Sequence, residues 1–214
     1  LGEDGKPDYE SIYALDIDLF NQQLVDLIQG EEVTLPLFDF KEGKRKVGKT
    51  VKLLPNQPIL IEGIHALNEM ITALIPKHQK FISPHPQLNI DDHNPIMPTD
   101  LRLLRRIVRD ARTRKTSPTT TFSMWENVRK GEFKWIYPWQ KEADYVFNTS
   151  LTYEIMVMKK YALPALLSIK SNDEYYIQAN RLIKFLKYVK DIDDKYVPCN
   201  SILREFIGES CFYD

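Results

Sequence analysis

Apolar residues recur at helical spacing in several stretches, most clearly from Thr99 to Thr116. Leu101, Leu104, Ile107, Val108 and Ala111 fall on one face at 3.6 residues per turn, with Arg102, Arg105, Arg106 and Arg109 on the opposite face. Pro98 and Thr99-Asp100 form a helix start, with an acid at the positive end of the dipole. Arg112, Arg114 and Lys115 carry positive charge past the apolar stripe, and Ser117-Pro118 breaks it. The pattern predicts a helix running into a basic, mobile flap.

The helical period also runs through Ile12 to Ile28, with Gly30 as its stop, and through Ile64 to Ile75, Thr121 to Arg129, Leu151 to Ile169 (with Pro164 inside), Glu174 to Val189 and Ser201 to Ile207. Short apolar runs lie between. Val33 to Phe40 is extended, with Pro36 barred from a central strand position. Ile59-Leu60-Ile61, bounded by Pro58 and Gly63, reads as a strand buried on both faces. Glu62 then sits at its C-terminal end, where open α/β sheets place ligands. Lys80 to Ser83 and Ala143 to Asn148 are further short strands. Gly131 to Gln140 reads as extended, and its alternating Trp135, Tyr137 and Trp139 suit either base stacking or packing. The alternation of strands and helices predicts a three-layer α/β domain with a mostly parallel sheet.

Composition narrows the function classes. A length of 214 residues suits one domain with a small appendage, divided here as 1–170, with a lid at about 110–120, and a helical extension 171–214. The net charge of −1 makes the arginine cluster local, which argues against a non-specific nucleic-acid binder. No apolar run approaches the ~20 residues of a membrane span. The polar start LGEDGKPDYE reads as a loop without a signal peptide, and Cys199 and Cys211 lack metal-ligand spacing. A reduced, cytoplasmic setting is the expectation. Lys41 to Lys49 reads as a solvated basic turn or hairpin tip. Asp91, Asp92 and His93 could be metal ligands, but their spacing matches no closed site.

Four guanidiniums on one stripe repel each other, and their fork geometry suits bidentate phosphate binding; pairing with surface acids is the plainer alternative. EGIHAL (Glu62 to Leu67), TDLRLLRRIVRDARTRK (Thr99 to Lys115) and EADYVFN (Glu142 to Asn148), in this order and spacing, resemble the uridine kinase and phosphoribulokinase family of P-loop kinases. The likeness runs from about residue 5 to residue 170. It implies ATP-dependent phosphorylation of a nucleoside, uridine or cytidine, at its 5′-hydroxyl, with ATP and Mg²⁺ as cofactors. Glu62 matches the acid near Mg²⁺. Arg106 and Arg109 match arginines of the helix entering the lid, and Arg114 the lid arginine that reaches the nucleotide phosphates, with Arg112 beside it. Phe38 falls where nucleoside-binding members carry an aromatic. Glu10, with Asp8 close by, falls near the acid that holds ribose hydroxyls. A homo-oligomer is compatible with the resemblance.

Three departures accompany it. The 214 residues contain no GxxxxGK[ST], the loop whose backbone N–H groups and Lys cradle phosphates. The expectation is therefore a chain whose first strand, phosphate loop and catalytic Asp lie upstream. The strand before Ile82-Ser83 is short, and Lys115 stands where the lid usually has Gly. A phosphoribulokinase-like sugar-phosphate kinase and a non-catalytic nucleotide-binding domain are the alternatives.

Overall fold

The computed structural model describes residues 8, 10–39, 42–75 and 82–212. In chain order the elements are α1 (Ile17–Ile28), β1 (Val33–Asp39), β2 (Lys44–Val51), α2 (Glu69–Thr72), β3 (Ile82–His85), β4 (Leu88–Asn89), β5 (Pro95–Ile96), α3 (Pro98–Arg109), α4 (Pro118–Gly131), β6 (Tyr145–Asn148), α5 (Glu154–Leu167), α6 (Tyr176–Tyr188) and α7 (Arg204–Ile207). They fall into two compact units, Leu1–Ser83 with Arg129–Tyr145, and Pro84–Val128 with Val146–Asp214. The calls on residues 1–7, Phe40, Lys41, Pro76, Lys80 and Phe81 lie outside the described residues.

In the first unit, Asp16 caps α1 by accepting from the Leu19 N–H at 3.2 Å, and Gly30 ends it at φ +84°. Asn21, buried on the apolar face of α1, donates to the Ile17 and Met70 carbonyls at 3.1 and 2.9 Å and so ties α1 to α2. β1 and β2 form an antiparallel hairpin, with a register shift between Thr34 and Pro36. That bulge accommodates a residue with no N–H to donate. Gly48 is required beside it, since a Cβ there would stand 2.5 Å from the Leu35 carbonyl oxygen. The basic turn is thus mostly strand: Lys44 to Lys49 belong to β2.

In the second unit, α3 buries Leu101, Leu103, Leu104, Ile107 and Val108. It packs against α5 and α7, and α5 packs against α6. Val157, Met158, Ala162, Leu166, Leu182 and Leu186 complete this core. Asp100, in the first turn of α3, is held by both terminal nitrogens of Arg181 at 2.6 and 2.7 Å. Pro164 lies within α5, as the sequence requires.

The α/β class holds, but the strands are arranged differently from the single, mostly parallel sheet expected. Among the described residues they form three two-stranded ladders, β1–β2, β3–β6 and β4–β5, and the first and last are antiparallel. Ile59-Leu60-Ile61 is not a strand: it is irregular, and Leu60 is 92% exposed. A run of apolar side chains is buried on both faces only when strands flank it, and no described strand pairs with this one. The expected extended segment 131–140 is also corrected. It continues from α4 as a π-helical stretch, Glu132–Ile136, and a 3₁₀ stretch, Tyr137–Glu142. Trp135, Tyr137 and Trp139 therefore do not alternate across a sheet. The helix expected over 64–75 shrinks to α2, with turns before it.

Candidate functional site

The arginine face of α3 does not behave as one stripe. Arg105 is buried: its Nε and Nη2 donate to both carboxylate oxygens of Glu154 at 2.9 and 2.7 Å, and Nη2 also to the Thr149 carbonyl at 2.7 Å. Its charge is fully engaged, so Arg105 is structural. Arg106 and Arg114 converge instead on Asp110, whose side chain is completely buried. Arg106 Nε lies 3.4 Å from one carboxylate oxygen, and Arg114 Nη1 lies 3.2 Å from the other. The Thr121 hydroxyl donates to the same carboxylate at 3.2 Å, and the Asp110 carbonyl accepts from the Thr116 N–H.

The segment read as a flap is thereby wound into a π-helical turn, Asp110–Arg114, ended by Lys115 in the left-handed region at φ +52°. A residue with a Cβ is strained there, which explains in physical terms why glycine suits this position. Arg112 donates to the Glu205 and Phe206 carbonyls at 2.7 and 3.2 Å, and Arg109 Nη1 lies 3.6 Å from the Glu205 carboxylate. Arg109 Nε is buried with no hydrogen-bond partner among the described residues. An orphaned guanidinium N–H is costly to bury and is poised to donate to an anionic oxygen.

Glu62, Phe38, Asp8 and Glu10 belong to the first unit. Glu62 is exposed, in the irregular segment that follows Ile61. Phe38 is 43% exposed on β1, across from Arg45. Asp8 Oδ1 accepts from the Glu10 N–H at 3.0 Å. The Glu10 side chain lies against Gly131 so closely that a Cβ there would stand 2.9 Å from Glu10 Cβ.

His65 joins this group, and sequence reasoning passed over it although it sits inside the EGIHAL block. It is 5% exposed, and the Trp135 ring meets it edge-on at 5.8 Å. Burial pushes its pKa below the ordinary histidine value, against the opposing pull of the Glu10 backbone and the Asp8 charge. Tyr13 packs on the same indole at 6.0 Å, so Trp135 is a packing residue here.

Asp91, Asp92 and His93 form no metal centre: Asp91 accepts from the His93 and Asn94 N–H groups at 2.8 Å, an ordinary turn, and these bonds lower its pKa. Among the described residues no cluster of three or more acids, histidines or cysteines could hold a metal ion. Cys199 and Cys211 form no disulfide, and the Cys211 N–H donates to the Cys199 carbonyl at 2.9 Å. No described helix is long and apolar enough to cross a membrane.

A family model described as phosphoribulokinase / uridine kinase matches residues 3–155. The chain belongs to this family. The family's fold is of the P-loop NTPase α/β type, and the matched stretch holds every candidate site residue above. It is also similar to a uridine kinase of Macrococcus caseolyticus, 30% identical over 164 residues, which cover 74% of this chain and 72% of the relative. A uridine kinase of Staphylococcus carnosus is 29% identical over the same shares. A third, from Borrelia duttonii, is 30% identical over 62% of the chain and 58% of its own length.

Proposed function

We propose that the chain carries the acceptor-binding and lid parts of an ATP-dependent nucleoside kinase that phosphorylates uridine or cytidine at the 5′-hydroxyl. The observation that carries this reading is Arg109 on the arginine helix, whose side chain is 30% exposed and whose Nε is buried without a hydrogen-bond partner among the described residues. Family membership and the uridine kinases it resembles support the substrate class.

In this reading Arg109, Arg112 and Arg114 neutralise the nucleotide phosphates. Phosphoryl transfer needs positioning and charge neutralisation more than covalent help, and an arginine closing on the transferred group is worth ~10³–10⁵ in rate. Arg106 remains at Asp110 and fixes the base of the lid while Arg114, with its side chain 54% exposed, exchanges Asp110 for phosphate. Asp8 and Glu10 grip ribose hydroxyls, and Phe38 stacks on the base. Mg²⁺, when bound, neutralises the β- and γ-phosphates. Glu62 supplies one hard oxygen ligand of the kind such an ion takes, and its exposure leaves it accessible.

The sugar-phosphate alternative would need free cations beside the acceptor. Arg45 is paired with Asp16 and Lys46 with Asp39, both at 2.7 Å and both partly exposed, while Lys44 and Lys49 on the same strand are exposed.

The 214 residues contain no phosphate-cradling loop, and we propose that turnover requires one from outside them. An ATP/uridine turnover assay tests this on residues 1–214 alone and on the same chain extended through a P-loop if the gene encodes one. The short chain should be silent and the long one active at the ordinary kinase scale of ~1–100 s⁻¹. Turnover by the short chain would show that the phosphates are held by other groups. Silence from both would favour a non-catalytic nucleotide-binding domain.

A further inference from the structure

The segment that meets the arginine helix lies beyond the stretch matched by the family model, which ends at residue 155. α7 is fixed in the core of the second unit by Leu203, Phe206 and Ile207, all buried. Arg204 anchors it further, donating through Nη2 to the Val197 and Asp194 carbonyls at 2.7 and 2.9 Å. This firm base presents oxygen acceptors to α3. Two are the Glu205 and Phe206 carbonyls on Arg112, and the third is the Glu205 carboxylate 3.6 Å from Arg109. The Gly208 backbone closes on the same side chain, for a Cβ there would stand 3.3 Å from Arg112 Cδ.

The acceptors differ in strength. The carbonyls on Arg112 are at good hydrogen-bond distance, so that guanidinium is well held. The Glu205–Arg109 pair is long, and the Glu205 side chain is 55% exposed. Such pairs contribute little and exchange readily. A polyphosphate carries more charge and matches the guanidinium fork better than one distant carboxylate oxygen.

We propose that Glu205, carried on α7, is an internal competitor for Arg109 that nucleotide phosphate must displace, so that the C-terminal segment sets the affinity for ATP. The inference rests on the reading of Arg109 as phosphate-facing. Removing the competitor should tighten nucleotide binding without altering the acceptor side. Truncating α7 would strip Phe206 and Ile207 from the core, so the informative change is Glu205→Gln, which keeps the helix and the shape of the side chain.

The test is steady-state kinetics on the intact enzyme, with ATP and uridine varied separately. For Glu205→Gln, KM for ATP is expected to fall about two- to fivefold, the range of an exposed ion pair, with kcat and KM for uridine unchanged. In an Arg109→Ala background the same substitution should give no such gain, which is the signature of a coupled pair. An unchanged or raised KM for ATP in Glu205→Gln overturns the proposal, and a gain that persists without Arg109 does so too. If Arg109→Ala impairs ATP use while Glu205→Gln does nothing, only the competitor role falls. If Arg109→Ala leaves both kcat and KM for ATP intact, the phosphate-facing reading falls and the proposal falls with it.

Discussion

Arg105 grips both carboxylate oxygens of Glu154, at 2.9 and 2.7 Å, and the Phe206 ring covers its guanidinium at 5.2 Å from the ring centroid. The pair joins α3 to the start of α5 from within the protein, since the Glu154 side chain is only 1% exposed. Removing one partner leaves an uncompensated buried charge, which costs about 3–5 kcal/mol. Glu154→Gln is therefore expected to lower the denaturation midpoint strongly, read by urea unfolding followed by circular dichroism. The double change Arg105→Met with Glu154→Leu should recover much of the loss, because an apolar pair of similar volume replaces two desolvated charges. A double variant no better than the single one would show that the fork also serves Thr149 in a way packing cannot replace.

Asp110 organises the π-helical turn after α3 in the same manner at its own scale. It is buried, it faces Arg106 and Arg114, and its backbone carbonyl ends the π-helical turn. Asp110→Asn keeps the Thr121 contact but discards the charge. The expected outcome is a loss of about 2–4 kcal/mol, toward the low end for broken buried pairs because Arg114 is largely solvated. Segment 110–117 should also become more sensitive to limited proteolysis without nucleotide. Unchanged cleavage there would mean that the turn is held by backbone bonds alone.

The helices were legible because their apolar periods are long: α1, α3, α5 and α6 fall within a few residues of their sequence boundaries. What escaped reading depended on partners distant in sequence. Arg105 has the same spacing on the helix as Arg102 and Arg109, and only Glu154, 49 positions away, makes it structural. Ile59 to Ile61 has the composition of a central strand, but composition cannot supply flanking strands. Trp135 and Tyr137 sit at an even spacing that suits a strand, and the helical winding carried on from α4 overrode it. For the site, the arginines could be named from the RRxxRD block. The buried state of Asp110 and His65 could not, since a short polar residue beside apolar ones reads equally well as surface.

His65 gives a prediction in pH. Its folded-state pKa is lowered by burial. The unfolded chain therefore binds the proton more readily than the native one. Stability is then full above the ordinary histidine value of about 6.5 and falls as pH drops through the lower, folded value. Thermal midpoints measured from pH 7.5 down to pH 5 should decline, and His65→Leu should flatten that part of the curve. If the leucine variant keeps the full slope, another group carries it.

Lys115 holds a left-handed conformation at φ +52°. For an L-residue with a Cβ this costs roughly 1–2 kcal/mol, partly offset by the entropy a glycine loses on folding, about 0.5–1 kcal/mol. Lys115→Gly is thus expected to be neutral to stabilising by up to about 1 kcal/mol, while Lys115→Val should destabilise by more than 1 kcal/mol. The comparison is made by thermal unfolding of the two variants side by side. A valine variant as stable as the parent would mean that the turn can relax out of this conformation at little cost.

The last prediction concerns Arg109 in an active enzyme. Its side chain is 30% exposed, its Nε has no hydrogen-bond partner among the described residues, and Glu205 stands off at 3.6 Å. A group with so little ground-state engagement is available for charge that grows during reaction. If it meets the phosphates of bound ATP and then the transferred phosphoryl group, Arg109→Ala should raise KM for ATP and lower kcat by a larger factor, at least about 10²-fold, because the interaction exists in the ground state and strengthens in the transition state. Arg109→Lys should recover only part of the rate: it restores a charge but not the planar fork. Stability separates this from a structural role. The wild-type pair with Glu205 is weak, so the thermal midpoint of Arg109→Ala should stay within about 1 kcal/mol of the parent. A large drop in midpoint with a proportionate loss of all activity would make Arg109 another Arg105, a cation whose work is to hold helices together. An unchanged kcat in a stable variant would place the phosphate-neutralising charge elsewhere on the lid, with Arg114 the next residue to replace.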